Sequence, residues 1–246
     1  HKLVTKPERE YLQNVAKDVA AELPADFEYI DLGPGTEHKE QFLFDELKAQ
    51  HKTFTYIPVD ISQHYLDLAE RHATSQGIPT KPIKASFEEL PDLLKKTDKP
   101  RFVNIGLTFS NYDPEAILSL LSDIAGEGGF VYINVHMRDR VDMDALQAVY
   151  QEDAKTLADE KLQLIGLDPK EDVTPSRATQ DIKVWCSVVR PNEKLIKMGI
   201  KEGDKFLLFQ SLRYTKESLE QELTKTGKDF KVFDIGAPFI STVIKT

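Results

Sequence analysis

The sequence predicts an α/β domain built on a mostly parallel sheet with helices on both faces. Three observations predict it. Between Glu28 and Val135, apolar strand segments alternate with amphipathic helical segments in the order βαβαβαβαβ, a pattern that requires a parallel sheet with right-handed crossovers. The first strand, with Tyr29, Ile30 and Leu32, enters Gly33-Pro34-Gly35 just before a helix, and the second, Thr53 to Val59, ends in Asp60. The fifth, Phe130 to Val135, is largely apolar, as expected for a strand covered on both faces.

The elements follow in order. Lys6 to Leu23 places Tyr11, Val15, Val19, Ala20 and Leu23 near helical period and stops at Pro24, which reads as a lead-in helix. Thr36 is the expected N-cap of a helix from about Glu37 to Gln50, with Phe42, Leu43 and Leu47 toward the sheet. Ser62 opens a third helix that ends at Gly77. Lys81 to Ala85 is a short strand, Ser86 to Lys96 a helix with acids first and bases last, and Arg101 to Leu107 the fourth strand. Asp113 and Pro114 begin the next helix, which Gly126, Gly128 and Gly129 end.

Beyond His136, Val141 to Leu157 looks helical, a polar loop holds Asp168, Pro169 and Pro175, and Ile182 to Val189 is a strand. Lys205 to Ser211 reads as another strand, Lys216 to Thr226 as a helix and Ser241 to Ile244 as a closing strand. The expected organisation is a ligand-binding core with its lead-in helix over 1–135, an insertion over 136–205, and strands and a helix completing the core sheet over 206–246.

Composition narrows the partners. The 246 residues are 40% hydrophobic, enough for a full core. A formal charge of −9 leaves no broad positive field for nucleic acid. Cys186 has no partner for an internal disulfide, the six histidines are scattered, and no cluster has zinc spacing, so a reducing, cytoplasmic setting without a metal is expected. No apolar run approaches the roughly 20 residues of a membrane span. The start at His1 reads as a tag remnant or a trimmed terminus.

A glycine turn after a strand admits a nucleotide-like ligand to the backbone, and an acid closing the next strand suits ribose hydroxyls. Gly33 and Gly35 with Asp60, 25 positions after Gly35, fit that arrangement, although each also serves local turn or cap chemistry. His38 stands where a dinucleotide fingerprint has its third glycine, which disfavours NAD or FAD and leaves another adenosine ligand. Ser86 and Phe87 end the third strand, where an adenine would meet an aromatic face; Phe87 reads nearly as well as core. The loop Thr108 to Asp113 lies at the carboxyl end of a buried strand, and Asn111 there either orients an amine or carboxylate or shapes the turn. Tyr150 reads first as core and His136 as structural. No Ser-His-Asp order, H-E-x-x-H, P-loop or C-x-x-C occurs.

Taken together, IDLGPGTEHKE, YIPVDIS and GLTFSNYDPEAILSLL resemble the histidine-specific S-adenosylmethionine-dependent methyltransferase family, which methylates the α-amine of histidine and includes a fungal N-methyltransferase of a prenylated tryptophan. The resemblance runs from about Thr5 to Tyr150. It implies a class I methyltransferase (Rossmann-like) fold with a substrate-binding insertion, S-adenosylmethionine as cofactor and a small-molecule amine as substrate. By position it puts Gly33, Gly35 and Lys39 at the methionine end, Asp60 on the ribose, and Ser86 and Phe87 at the adenine, with Ser86 replacing an aspartate. Asn111 takes the place of the family's amino-acid-holding asparagine, and Tyr150 that of its partner tyrosine.

The family's E-x-S-x-K substrate motif reads Phe209-Gln210-Ser211-Leu212-Arg213, so Ser211 is kept and Phe209 replaces the glutamate that would hold an imidazole. An aromatic amino acid fits Phe209 better than histidine. The N-terminal segment that carries a further substrate tyrosine in the family reads here as truncated, an expectation from the comparison with that family's pattern. The resemblance implies N-methylation of an amino acid or a derivative, with a non-catalytic S-adenosylmethionine-binding relative as the alternative and an NAD(P)-dependent reductase a more distant one.

Overall fold

A computed structural model describes residues 4–146, 162–163, 165–178 and 182–246. Two compact units emerge: the residues up to Phe109 with Asp113–Met137 and Tyr214–Thr246, and Ser110–Tyr112 with Arg138–Arg213. The first holds a seven-stranded sheet in the order β3-β2-β1-β4-β5-β10-β9. Its strands are β1 (Asp26–Leu32), β2 (Thr53–Asp60), β3 (Ile83–Lys84), β4 (Arg101–Gly106), β5 (Phe130–His136), β9 (Phe230–Phe233) and β10 (Phe239–Lys245). The first five are mutually parallel; β10 runs antiparallel between β5 and β9.

Helices α1 (Thr5–Glu22), α2 (Gln41–Ala49), α3 (Gln63–Ser75) and α5 (Pro114–Ala125) flank this sheet. In α1, Tyr11, Val15 and Val19 are buried at four-residue spacing, so one stripe faces the sheet. Leu23, extended before Pro24, ends the helix. The Tyr11 hydroxyl donates to the Phe233 carbonyl at 2.6 Å, accepts from the Ser241 amide at 2.6 Å and lies 2.7 Å from Ser241 Oγ. Behind it, the Tyr29 ring meets Phe44, Tyr56 and Phe102 edge-on at 5.8, 5.5 and 4.9 Å, the geometry aromatic quadrupoles prefer. Asp113 Oδ1 accepts from the Ala116 amide at 3.0 Å, capping α5 as its sequence predicts.

Several boundaries differ from expectation for identifiable reasons. Helix α2 starts at Gln41 with Glu40 rather than Thr36 in the N-cap position, because His38 adopts φ +49° and interrupts a helical approach. The expected third strand shortens to Ile83–Lys84. The expected helix over Ser86 to Lys96 is a 3-10 turn, Phe87–Glu89, and one helical turn, α4 (Leu90–Leu93). Arg101 Nη2 takes the Lys95 carbonyl at 2.6 Å, giving that group a partner outside a helix. Strand β9 adds an edge to this sheet beyond the strands named from the sequence.

The second unit contains an antiparallel sheet of β6 (Val173–Ala178), β7 (Ile182–Val188) and β8 (Lys205–Ser211), with a short helix, α6 (Glu193–Lys197). Leu162, Leu167, Val173, Cys186 and Leu195 form its small core. Two expectations are corrected here. The polar loop around Pro175 contains β6, an edge strand, where proline's missing amide is tolerated. Lys205–Ser211 pairs with β7 and does not complete the core sheet. Its first four residues alternate between exposed and half-buried, which suits a thin sheet, whereas β10 is buried along nearly its whole length. The helix α7 (Lys216–Thr224) precedes β9 in the first unit. Tyr150 and most of the expected helix Val141 to Leu157 lie outside the described residues.

Tyr11→Phe keeps the ring but strips three partners of their hydroxyl. Leaving buried polar groups unpaired costs about 1–3 kcal/mol, so urea unfolding is expected to lose that much stability. An unchanged midpoint would mean that ring packing alone holds α1.

Candidate functional site

The carboxyl edge of the parallel strands carries the site. β1 and β2 pair through Leu32 and Val59, and the Gly33 amide continues the ladder by donating to the Val59 carbonyl at 2.8 Å. The chain then turns with Gly33 at φ +70° and Gly35 at φ +66°, values that exclude most side chains. A Cβ on Gly33 would stand 3.7 Å from Phe87 Cζ. Phe87 therefore packs against the glycine turn. One residue beyond Val59, the half-buried Asp60 accepts the Ser62 amide at 2.8 Å through Oδ1, and its carbonyl accepts from Ala85 at 3.2 Å. Ser86 is tied locally, its amide donating to Glu89 Oε2 at 2.8 Å.

Beside this turn is a cavity of about 110 Å³ lined by parts of α1, β1, β4, β5 and the approach to α2. Gly33 and Lys39 line it; Gly35, Asp60, Ser86 and Phe87 are placed around the turn without lining it. Lys39 Nζ donates to Glu8 Oε2 at 2.9 Å, and Asn134 Nδ2 donates to Glu8 Oε1 at 3.3 Å. Burial pushes the Glu8 carboxyl up, and the Lys39 charge opposes that shift.

Asp31 projects from β1 into the same cavity while 4% exposed. Tyr56 on β2 donates to its Oδ2 at 2.7 Å, and Asn104 on β4 donates to its Oδ1 at 2.8 Å. Asn104 Oδ1 in turn accepts the Gly106 amide at 3.0 Å, across the register shift between β4 and β5. Burial, then the nearby Glu40 carboxylate, pushes Asp31 up to about 7. Burial likewise raises Glu40.

Glu8, Asp31, Glu40, Asn104 and Asn134 are the cavity residues that sequence reasoning missed. Three had a signal: Asp31, Asn104 and Asn134 interrupt otherwise apolar strands, and a polar group inside such a strand needs a partner or a ligand. Glu8 and Glu40 had none, because their burial depends on non-local packing.

The acceptor candidates lie in the second unit. Asn111 is exposed at the end of the 3-10 turn Leu107–Asn111. Ser110 O accepts the Leu212 amide at 2.8 Å, bringing that turn beside Ser211. Ser211 is buried and its Oγ accepts from Arg213 Nη1 at 2.7 Å. Phe209 is half-buried on β8, opposite Val184. His136 is buried and stacked on Phe239 at 4.4 Å, a core position.

The raised Asp31 sets a pH dependence. In the native chain it keeps a proton that the unfolded chain releases near its ordinary value of 3.8. Its contribution to stability is therefore complete below about pH 4 and is lost as pH rises toward 7. In Asp31→Asn the melting temperature is expected to fall less between pH 4 and 7 than in the parent. Parallel curves would show that Asp31 does not hold the proton.

Comparisons with known proteins agree with this architecture. Residues 3–165 match the family described as histidine-specific methyltransferase, SAM-dependent. The N-methyltransferase dtpB of Aspergillus flavus is 39% identical over 71 residues, 28% of this chain and 20% of dtpB. The chain thus matches about a fifth of the length of that curated relative. An S-adenosylmethionine-dependent methyltransferase from Aquifex aeolicus superposes with a TM-score of 0.53 at 13% identity, covering 99% of this chain and 95% of that one. The PH0226 protein of Pyrococcus horikoshii OT3 gives 0.54 at 13% identity, covering 99% and 92%. Such identities show the fold alone, that of the class I, Rossmann-like methyltransferases. The match over residues 3–165 shows more: the chain belongs to the SAM-dependent, histidine-specific methyltransferase family.

Proposed function

We propose that this chain is an S-adenosylmethionine-dependent N-methyltransferase acting on the amine of a small amino acid or amino-acid derivative. The observation that carries the reading is the Gly33-Pro34-Gly35 turn, with Phe87 against Gly33 and Asp60 closing the register-adjacent strand. The donor fits these residues. Phe87, whose Cζ stands 3.7 Å from the Gly33 Cβ position, offers the base an aromatic wall beside the glycine turn, and the Ser62 amide holds the Asp60 carboxylate to which ribose hydroxyls would donate. Lys39, steadied by Glu8, is the cation assigned to the methionine end.

When bound, the donor supplies an electrophilic methyl group on a sulfonium whose leaving thioether is neutral. The chain consequently needs no acid for departure. Its task is to hold a neutral amine in line with the methyl, and well-oriented intramolecular pairs reach effective molarities on the order of 10⁵–10⁸ M. The amine loses its proton to water before attack, so no dedicated base is required. Asn111 and Ser211, on hydrogen-bonded segments, are proposed to hold the acceptor's polar groups. Phe209 supplies an apolar wall, so an aromatic amino acid suits this chain better than histidine. A cytoplasmic location and the absence of a nucleic-acid partner belong to the same reading; among the described residues no helix is long and apolar enough to cross a membrane.

Calorimetric titration with S-adenosylhomocysteine tests the donor end. Asp60→Ala is expected to weaken binding at least about tenfold, roughly the 1.4 kcal/mol of one hydrogen bond to a charged group, with an unchanged circular dichroism spectrum; undiminished affinity would sink the assignment. Asn111→Ala is expected to spare that binding while losing turnover on a panel of amino acids with labelled donor. Equal loss of both would reduce Asn111 to a loop former.

A further inference from the structure

We propose that His38, Glu40 and His72 form a binding site for a divalent cation of the zinc type at the wall of the donor cavity, which Glu40 also lines. The three residues are scattered in sequence, two before α2 and one in the last turn of α3. Folding brings one ligand atom of each within 4.8 Å of the others. His38 Nδ1 lies 3.3 Å from Glu40 Oε1, and His72 Nε2 lies 3.9 Å from the same oxygen. Tetrahedral zinc with bonds of about 2.0–2.1 Å sets its donors roughly 3.3–3.5 Å apart. His38 and Glu40 already have that separation, and His72 stands about half an ångström beyond it from Glu40.

Two further features favour a cation here. The Glu40 side chain is only 2% exposed, and among the described residues its ion-pair partners are these two imidazoles. A buried carboxylate is costly to hold in a low-dielectric setting, and a divalent ion bound to it would offset that cost. The rings stack at 4.0 Å with an 18° tilt, so one imidazole must turn about its side-chain torsion for both nitrogen lone pairs to meet a single ion. Second, His38 holds φ +49°, a conformation that glycine adopts without cost and that other residues rarely keep unless the surroundings fix them.

The present neighbours are compatible with binding. Gln76 Nε2 lies 3.0 Å from His72 Nε2 and also bonds Gln41, while Lys48 donates to Gln76 Oε1 at 2.9 Å. Metal at His72 Nε2 releases the Gln76 contact, and Gln76 keeps its other partners. His38 and His72 side chains are 35% and 23% exposed, leaving a path for the ion and a fourth position for water. Imidazole and carboxylate donors select zinc-like ions over calcium or magnesium. Occupancy would fasten the turn after Gly35 to α3 and so fix the backbone on both sides of Lys39.

The test uses the full chain, free of any histidine tag and stripped with a chelator. Zn²⁺ is added by calorimetric titration and Co²⁺ is followed by its visible absorption. One equivalent of Zn²⁺ is expected to bind at this site, raising the melting temperature. Affinity should fall at least about tenfold in His72→Ala and in His38→Gly, the scale of losses seen when a metal site loses even its supporting contacts. His38→Gly suits the positive φ, so its metal-free melting temperature should not drop, separating ligand loss from misfolding. His64→Ala, an exposed histidine on α3, should bind as the parent does. Absence of Zn²⁺ and Co²⁺ binding, or undiminished binding in both His72→Ala and His38→Gly, overturns the proposal.

Discussion

A carboxylate inside a sheet is affordable only when its oxygens are satisfied, and the site end of this fold depends on how Asp31 is satisfied. Tyr56 reaches it from β2 and Asn104 from β4, so one side chain joins three adjacent parallel strands at their carboxyl edge. The same Asn104 takes the Gly106 amide where the register with β5 shifts. Two backbone departures thus flank Asp31: the Gly33 turn on its own strand and the irregular end of β4. Both open the edge that would otherwise continue as ladder, which is where open α/β sheets receive ligands.

Much of this was legible in the sequence because it is written locally. Glycine at positions 33 and 35, Asp113 before Pro114 and the apolar strands all report on their own backbone, and the structure places them accordingly. The boundaries that moved were those decided by distant partners. His38 delays α2, Arg101 takes the Lys95 carbonyl, and Lys205–Ser211 joins β7 although its composition suits either sheet. Strand identity was readable there; sheet membership depended on how many faces each sheet could cover.

The site shows the same division. Gly33, Asp60 and Phe87 come together because consecutive βα units present their carboxyl ends at one edge, a consequence of topology that a motif can announce. Glu8 is 31 residues from Lys39 and 126 from Asn134, and nothing in either local string requires that they meet. The histidines illustrate the point further, since no zinc spacing joins His38 to His72, yet α2 and α3 lie on the same side of the sheet and bring the rings into contact.

The electrostatics of the cavity bear on which ligand belongs there. Its lining includes Glu8, Asp31 and Glu40 against a single lysine, Lys39. Lys39 offsets Glu8 at 2.9 Å, which leaves two buried carboxyls, both raised to about 7 by burial and Asp31 also by the Glu40 charge. A pyrophosphate entering this region would face that charge and raise both groups further. A sulfonium or ammonium has the opposite effect: it favours the ionised carboxylates, whose attraction is strengthened by the low dielectric that raised them. The missing third glycine at His38 argues against a dinucleotide on steric grounds, and the charge of the cavity argues against it independently. A cationic methyl donor satisfies both constraints with the residues that are present.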